Sequence, residues 1–168
     1  MDPERRKQLE AKRVALHERL ERQVEGTIIP RLIERGVPHE PRFDGIWTPD
    51  YIRVAGNGLW WPDSTGRVED EWCGTTDRED PDGSKQRVLR QRVIARMIAR
   101  ATGPETEIRF SYDAGFETNL SIKARDAIAN LDVLLDFGWT IWITSRAENW
   151  LIELSRDGVA RLAMEPCP

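Results

Sequence analysis

Cysteine and histidine are scarce in this chain: Cys73, Cys167, His17 and His39 are its whole supply across 168 residues. They lie far apart in sequence, so neither a disulfide scaffold nor a Cys/His zinc site is supported, and no metal or cofactor is expected. No Ser-His-Asp or Cys-His arrangement is suggested either, because both histidines fall in the N-terminal segment, away from any nucleophile context. Long apolar runs are missing as well. Nothing approaches the 18 consecutive apolar residues of a membrane-spanning helix, and MDPERRKQLEAKR has no apolar core of the signal-peptide kind. The sequence therefore predicts a cytoplasmic protein. The glycines do not make a phosphate loop, since Gly56-Asn57-Gly58 lacks the following helix and acidic partner that a dinucleotide fingerprint needs. The loop DREDPDGS fails as a calcium-binding EF-hand: with Gly83 at the sixth loop position, the first and twelfth are Arg78 and Leu89 instead of acids.

Charge and tryptophan are plentiful instead. The net charge of −4 conceals blocks: residues 1–40 carry +1, residues 41–83 carry −6, residues 84–104 carry +6 with no acid at all, and residues 105–168 carry −5. Seven tryptophans (47, 60, 61, 72, 139, 142 and 150) outnumber the two tyrosines and four phenylalanines. Trp is a large, amphipathic side chain that serves both cores and interface hot spots.

The pattern of apolar residues predicts an α+β fold, a small mixed or antiparallel sheet packed by two or three helices, with a long N-terminal helix. Two units are expected: an N-terminal helical segment over residues 1–36 and a single α+β domain over 37–168. Asp2 and Pro3 suit a helix start, and Leu9, Leu16, Leu20 and Val24 give a narrow apolar stripe that lies on the domain or pairs with another chain as a homo-oligomer contact. A second short helix is expected from Pro30 through Ile33, closed by Gly36 and Pro38. Residues 43–62 read as a hairpin turning at Gly56-Asn57-Gly58, and residues 63–83 as an acidic loop. Ser84 is expected to cap a helix through KQRVLRQRVIARMIARA, with Leu89, Val93, Met97 and Ile98 inward and a stop at Gly103-Pro104. EIRFSY (107–112) reads as a strand, SIKARDAIANLDVLLDF (121–137) as a helix, and WTIWIT (139–144) as a strand. The segment after residue 149 fits either a helix or a hairpin turning at Arg156-Asp157-Gly158; the aromatic and β-branched content favours the hairpin.

Three functional readings follow. GLWWP (58–62) sets Trp60 beside Trp61, and neighbours on a strand point to opposite faces, so both cannot enter one core. With Trp72 they predict aromatic anchors for a partner, and Asp70, Glu71, Asp77, Glu79 and Asp80 supply an acidic rim that steers a basic protein. In size, acidic surface and aromatic-plus-carboxylate patches the chain is similar in general character to bacterial toxin-neutralising immunity proteins, which implies a non-catalytic, inhibitor-like binding module. The second reading uses Arg92, Arg96 and Arg100, at i, i+4, i+8 on one helix, as phosphate contacts to nucleic acid; the rival is charge compensation by the acids of residues 69–82, or an acidic protein partner. The third rests on EIRFSYDAGFETNLSIKARDAIANLDVLLDFGWTIWITSRAEN, which resembles the first half of a haloacid dehalogenase-type phosphatase. The resemblance implies a nucleophilic Asp113 and a phosphate-holding Thr144 at the ends of two strands joined by a helix. The family's second acid is Gly115 here, and only 24 residues follow Thr144.

Overall fold

The computed structural model describes residues 28–42, 47, 49, 53–55, 58–60, 67–72, 83–112, 119–136, 140–155 and 158–164. In chain order these form α1 (Ile29–Glu34), β1 (Glu40–Arg42), β2 (Arg53–Ala55), β3 (Gly58–Trp60), β4 (Arg67–Trp72), α2 (Ser84–Ala101), β5 (Glu107–Tyr112), β6 (Asn119–Lys123), α3 (Ala124–Ala129), α4 (Leu131–Leu134), β7 (Ile141–Ser145), β8 (Trp150–Leu154) and β9 (Val159–Met164). Seven strands make one sheet in the order β1-β6-β5-β7-β8-β9-β4, and β2 and β3 form a separate two-stranded hairpin. Every neighbouring pair in the large sheet is antiparallel. β6 and β7 therefore run parallel to each other on either side of β5, and α3 and α4 cross between them.

This architecture corrects the predicted α+β arrangement of a small mixed or antiparallel sheet under two or three helices. The sheet spans seven strands, and three of the four described helices are no longer than six residues. The predicted N-terminal helix, with Leu9, Leu16, Leu20 and Val24, lies outside the described residues. Two further corrections have clear causes. Residues 121–123 were expected to open a helix but belong to β6 (Asn119–Lys123), where Leu120 and Ile122 alternate with Asn119 and Ser121. Residues 67–72 were expected to be loop because they are polar. Their backbone pairs with β9 over six residues, from Arg67 opposite Met164 to Trp72 opposite Val159, and a ladder of backbone hydrogen bonds does not need apolar side chains. The hairpin of β8 and β9, turning before Gly158, and the β2–β3 hairpin agree with the expected turns.

Period-2 alternation gives the large sheet one apolar face. Register aligns Leu120, Phe110, Ile143, Ile152 and Leu162 across five strands, and Tyr112, Ile141, Leu154 and Ala160 beside them. All are buried. α2 closes this face with Val93, Ile94, Met97 and Ile98, and α3 and α4 add Ala127, Leu131, Val133 and Leu134. Leu89, expected inward, is only partly buried at the margin of this cluster. The cap of α2 is Gly83, at φ +68°, and Ser84 is the first helical residue instead of the predicted cap; glycine adopts that left-handed conformation without penalty.

α1 belongs to the same core. It buries Ile28 and Leu32, and it ends in a Schellman turn: Gly36 N–H donates to the Ile33 carbonyl at 2.9 Å and Val37 N–H to the Leu32 carbonyl at 2.9 Å. Arg35 then grips Asp132 on α4 with two parallel hydrogen bonds of 2.7 and 2.6 Å, and Arg31 reaches Asp136 at 2.8 Å. The hydrogen bond from Arg35 holds the Asp132 carboxyl below its usual range.

A carboxyl held low in the folded state binds its proton more readily when unfolded, so its contribution is present above the ordinary carboxylate range and is lost on acidification. Both groups are more than a third exposed, so solvent screening limits the pair to about 0.5–1 kcal/mol. Asp132→Asn should cost that much near neutrality. In denaturant titrations the gap between parent and variant should be flat above about pH 5 and close below about pH 4. A gap that persists undiminished in strong acid would refute the assignment.

Candidate functional site

The second face of the sheet is unlike the first. The same register that aligns Leu120 with Leu162 sets Arg42, Asn119, Ser111, Trp142, Glu153 and Arg161 in one row across six strands, with Asp70 of β4 next in line. The neighbouring row runs Glu40, Ser121, Arg109, Thr144, Leu151, Ala163 and Val68. Apolar side chains occupy one end of that row and polar ones the other. Ser111, Asn119, Ser121 and Thr144 are nonetheless buried, at 1–5% exposure. Polar groups that lose water need partners. Trp142 Nε1 donates to Glu153 Oε2 at 2.9 Å. Arg42 donates through Nε to the Ser121 hydroxyl at 3.3 Å and pairs with Glu40 at 2.9 Å. Among the described residues the Ser111 hydroxyl has no hydrogen-bond partner. Sequence reading missed this face, although the alternation in RFSY, NLSIK and WITS carries its signal.

The predicted anchors and rim fall in two groups. Trp60 ends β3, and Asp70, Glu71 and Trp72 sit together on β4, an edge strand of the sheet. Trp61, Asp77, Glu79 and Asp80 lie outside the described residues. Glu71 accepts a hydrogen bond and ion pair from Arg96 of α2, so the acidic segment does reach back to the arginine helix at this point. Of the other tryptophans that are described, Trp150 is core at 1% exposure, Trp142 lies on the polar face, and Trp47 is half-buried.

The arginines proposed for phosphate binding are all exposed on α2. Arg92 makes no ion pair or hydrogen bond among the described residues, whereas Arg96 is engaged by Glu71. Beside Arg92 an open groove of about 430 Å³ runs between α2 and the α3–α4 pair, with Val88, Ala95, Ile128 and Leu131 among its lining. Val88 was not singled out from the sequence, yet it is 54% exposed.

Of the two residues implied by the phosphatase resemblance, one is described. Asp113 lies outside the described residues, and Thr144 is at 2% exposure inside β7, opposite Arg109 and Leu151. β5 and β7 are antiparallel, with Tyr112 opposite Ile141. The end of β5 therefore meets the start of β7, three residues and about 10 Å from Thr144; the phosphatase arrangement needs two parallel strands ending side by side. Among the described residues no group of three or more His, Cys, Asp or Glu side chains could hold a metal ion, and no helix is long and apolar enough to cross a membrane.

A comparison with family models, with curated proteins and with solved structures returns no match.

Two measurements check the local chemistry. Because the Ser111 hydroxyl is buried without a partner, Ser111→Ala should be neutral or stabilising by up to about 1 kcal/mol in chemical denaturation; a loss of more than that would show that the hydroxyl is bonded. A double-mutant cycle on Arg96→Ala and Glu71→Ala should give a coupling of about 0.2–1 kcal/mol that shrinks with added salt, as for exposed pairs. Zero coupling at low salt would remove the clip between β4 and α2.

Proposed function

We propose that the chain is a cytoplasmic, non-catalytic protein-binding module of the inhibitor or immunity-protein kind, holding a basic partner through an acidic, tryptophan-bearing surface centred on β4. The observation that carries this reading is the position of β4. It is an outer strand of the sheet, paired through one edge to β9, and its sequence RVEDEW puts Glu69, Asp70, Glu71 and Trp72 in succession on that strand. An edge strand offers backbone donors and acceptors to an incoming segment. Acidic residues on it discourage pairing with a second copy of itself and favour a basic strand or loop. In this reading Trp60, Trp61 and Trp72 anchor, and Asp70, Glu71, Asp77, Glu79 and Asp80 steer. Glu71 does so while shared with Arg96. The nucleic-acid reading is weakened by that same pair, since one of its three arginines already carries a carboxylate.

The test is site-specific photocrosslinking in the source cell, with a photoreactive residue at position 70 and, as control, at the exposed position 125 on α3. A discrete adduct with a basic protein is expected from position 70 alone, fading when Glu69 and Glu71 are changed to lysine. No adduct from β4, or equal adducts from both positions, would sink the reading.

A further inference from the structure

We propose that the groove between α2 and the α3–α4 pair is a second docking site, one that takes an acidic, amphipathic peptide segment of another protein. It is distinct in place and in charge from the acidic edge of β4 and does not depend on it.

The groove has apolar side chains in its lining and, at its lip, a cation, Arg92, that no carboxylate among the described residues neutralises. Val88, Arg92 and Ala95 follow one another at i, i+4, i+7 along α2, so they form one stripe of the helix, turned away from the core residues Val93, Met97 and Ile98. Ile128 and Leu131 line the facing wall. A second open pocket of about 310 Å³, lined by Ser84, Lys85, Val88, Leu89 and Arg92, shares Val88 and Arg92 with the first. Those two side chains therefore stand between two hollows. Ile33 and Val88 are large hydrophobics left exposed, at 64% and 54%. Arg92 is an arginine with no acid on its own helix to answer it. The nearest carboxylate in the groove wall is Asp132, which is already gripped by Arg35. The charge facing the groove is thus that of Arg92, on a helix that carries no acid of its own.

These features select the occupant. An apolar side chain laid over Val88, Ala95 and Ile128 would bury exposed apolar surface, and a carboxylate one helical turn away would meet Arg92. Of the stripe Arg92, Arg96 and Arg100, Arg92 is the one that borders the apolar lining, and an arginine beside an apolar pocket suits a peptide carboxylate. Arg96, next along the phosphate-binding stripe, is engaged by Glu71.

Panning a phage-displayed random peptide library against the immobilised full chain tests the proposal. Enriched sequences are expected to combine Asp or Glu with Leu, Ile or Phe at helical spacing. A synthetic consensus peptide should bind the parent and lose about tenfold or more in affinity, roughly 1.4 kcal/mol, against Arg92→Glu and against Val88→Asp. Arg125→Glu, on a different surface, should leave binding unchanged. Panned afresh, Arg92→Glu should enrich basic peptides. Both positions are exposed, so the variants should keep the parent's circular dichroism and denaturation midpoint; Arg92→Gln provides a milder change at the same position. No enrichment against the full chain, acid-free consensus sequences, or equal binding by the parent and both variants would overturn the proposal. So would displacement of the peptide by random-sequence DNA, or a concentration-dependent dimer abolished by Val88→Asp, since these would assign the groove to nucleic acid or to a second copy.

Discussion

Strand register is the constraint on which the rest of the molecule depends. A seven-stranded antiparallel sheet with one apolar and one polar face cannot tolerate a slip of a single residue, because side chains alternate with period two and such a slip moves every one to the opposite face. Moving β7 by one residue would set Trp142 and Thr144 against the helices and expose Ile141 and Ile143 to the polar row. The helices depend on this register in turn. α2 packs on β8 and β9, and its core residues meet the row that runs from Leu120 to Leu162. α1 is tied to α4 through Arg35 and Asp132, so the chain's entry into the domain is fixed relative to the same face.

How much of this was legible in the sequence follows from the kind of signal each element carries. β5, β7 and the β8–β9 hairpin are dense in β-branched and aromatic residues and bounded by clear turn residues, and α2 has a full helical period of apolar positions over 18 residues. β5, β7 and α2 could be read directly, whereas the segment of β8 and β9 also fitted a helix and its hairpin was the favoured of two readings. β4 could not, because RVEDEW owes its strand conformation to β9 and not to its own composition; tertiary pairing overrode a polar sequence. β6 was lost for a different reason. Leu120 and Ile122 are too few to separate a period of two from a period of 3.6 when a helical run follows at once from Ala124. The residues proposed for function divide in the same way. Trp72 and the acids around it stood out by composition. The groove around Val88 could not, since it exists only where α2 meets α3 and α4.

The polar face poses a different physical problem from the apolar one. Antiparallel sheets commonly leave one face to water, and the row from Arg42 to Arg161 has the composition of such a face. Several of its residues are buried all the same. Some of the cost is offset within the sheet, as in the bonds from Trp142 to Glu153 and from Arg42 to Ser121. Cross-strand hydrogen bonds of this kind also resist sliding, because each works at one register only. The two faces thus specify the same alignment by different means, apolar burial on one side and side-chain pairing on the other.

Charge is segregated along the chain, and the fold turns that segregation into geometry. The acids of residues 69–71 become an edge strand, and the cations of residues 84–104 become one helix lying across the same sheet. Were the two blocks fully folded against each other, each would cancel the other and neither would project a field. Arg96 and Glu71 join them. Their pair neutralises one arginine of the stripe, while Arg92, one turn earlier, meets no carboxylate among the described residues. A pair at this position costs little desolvation, since both side chains remain more than a third exposed. The acidic strand and the basic helix meet at this pair. In the proposed function, an acidic strand beside a basic helix would give a partner an orientation as well as an attraction, because a ligand of one sign is drawn to one surface and repelled from the other.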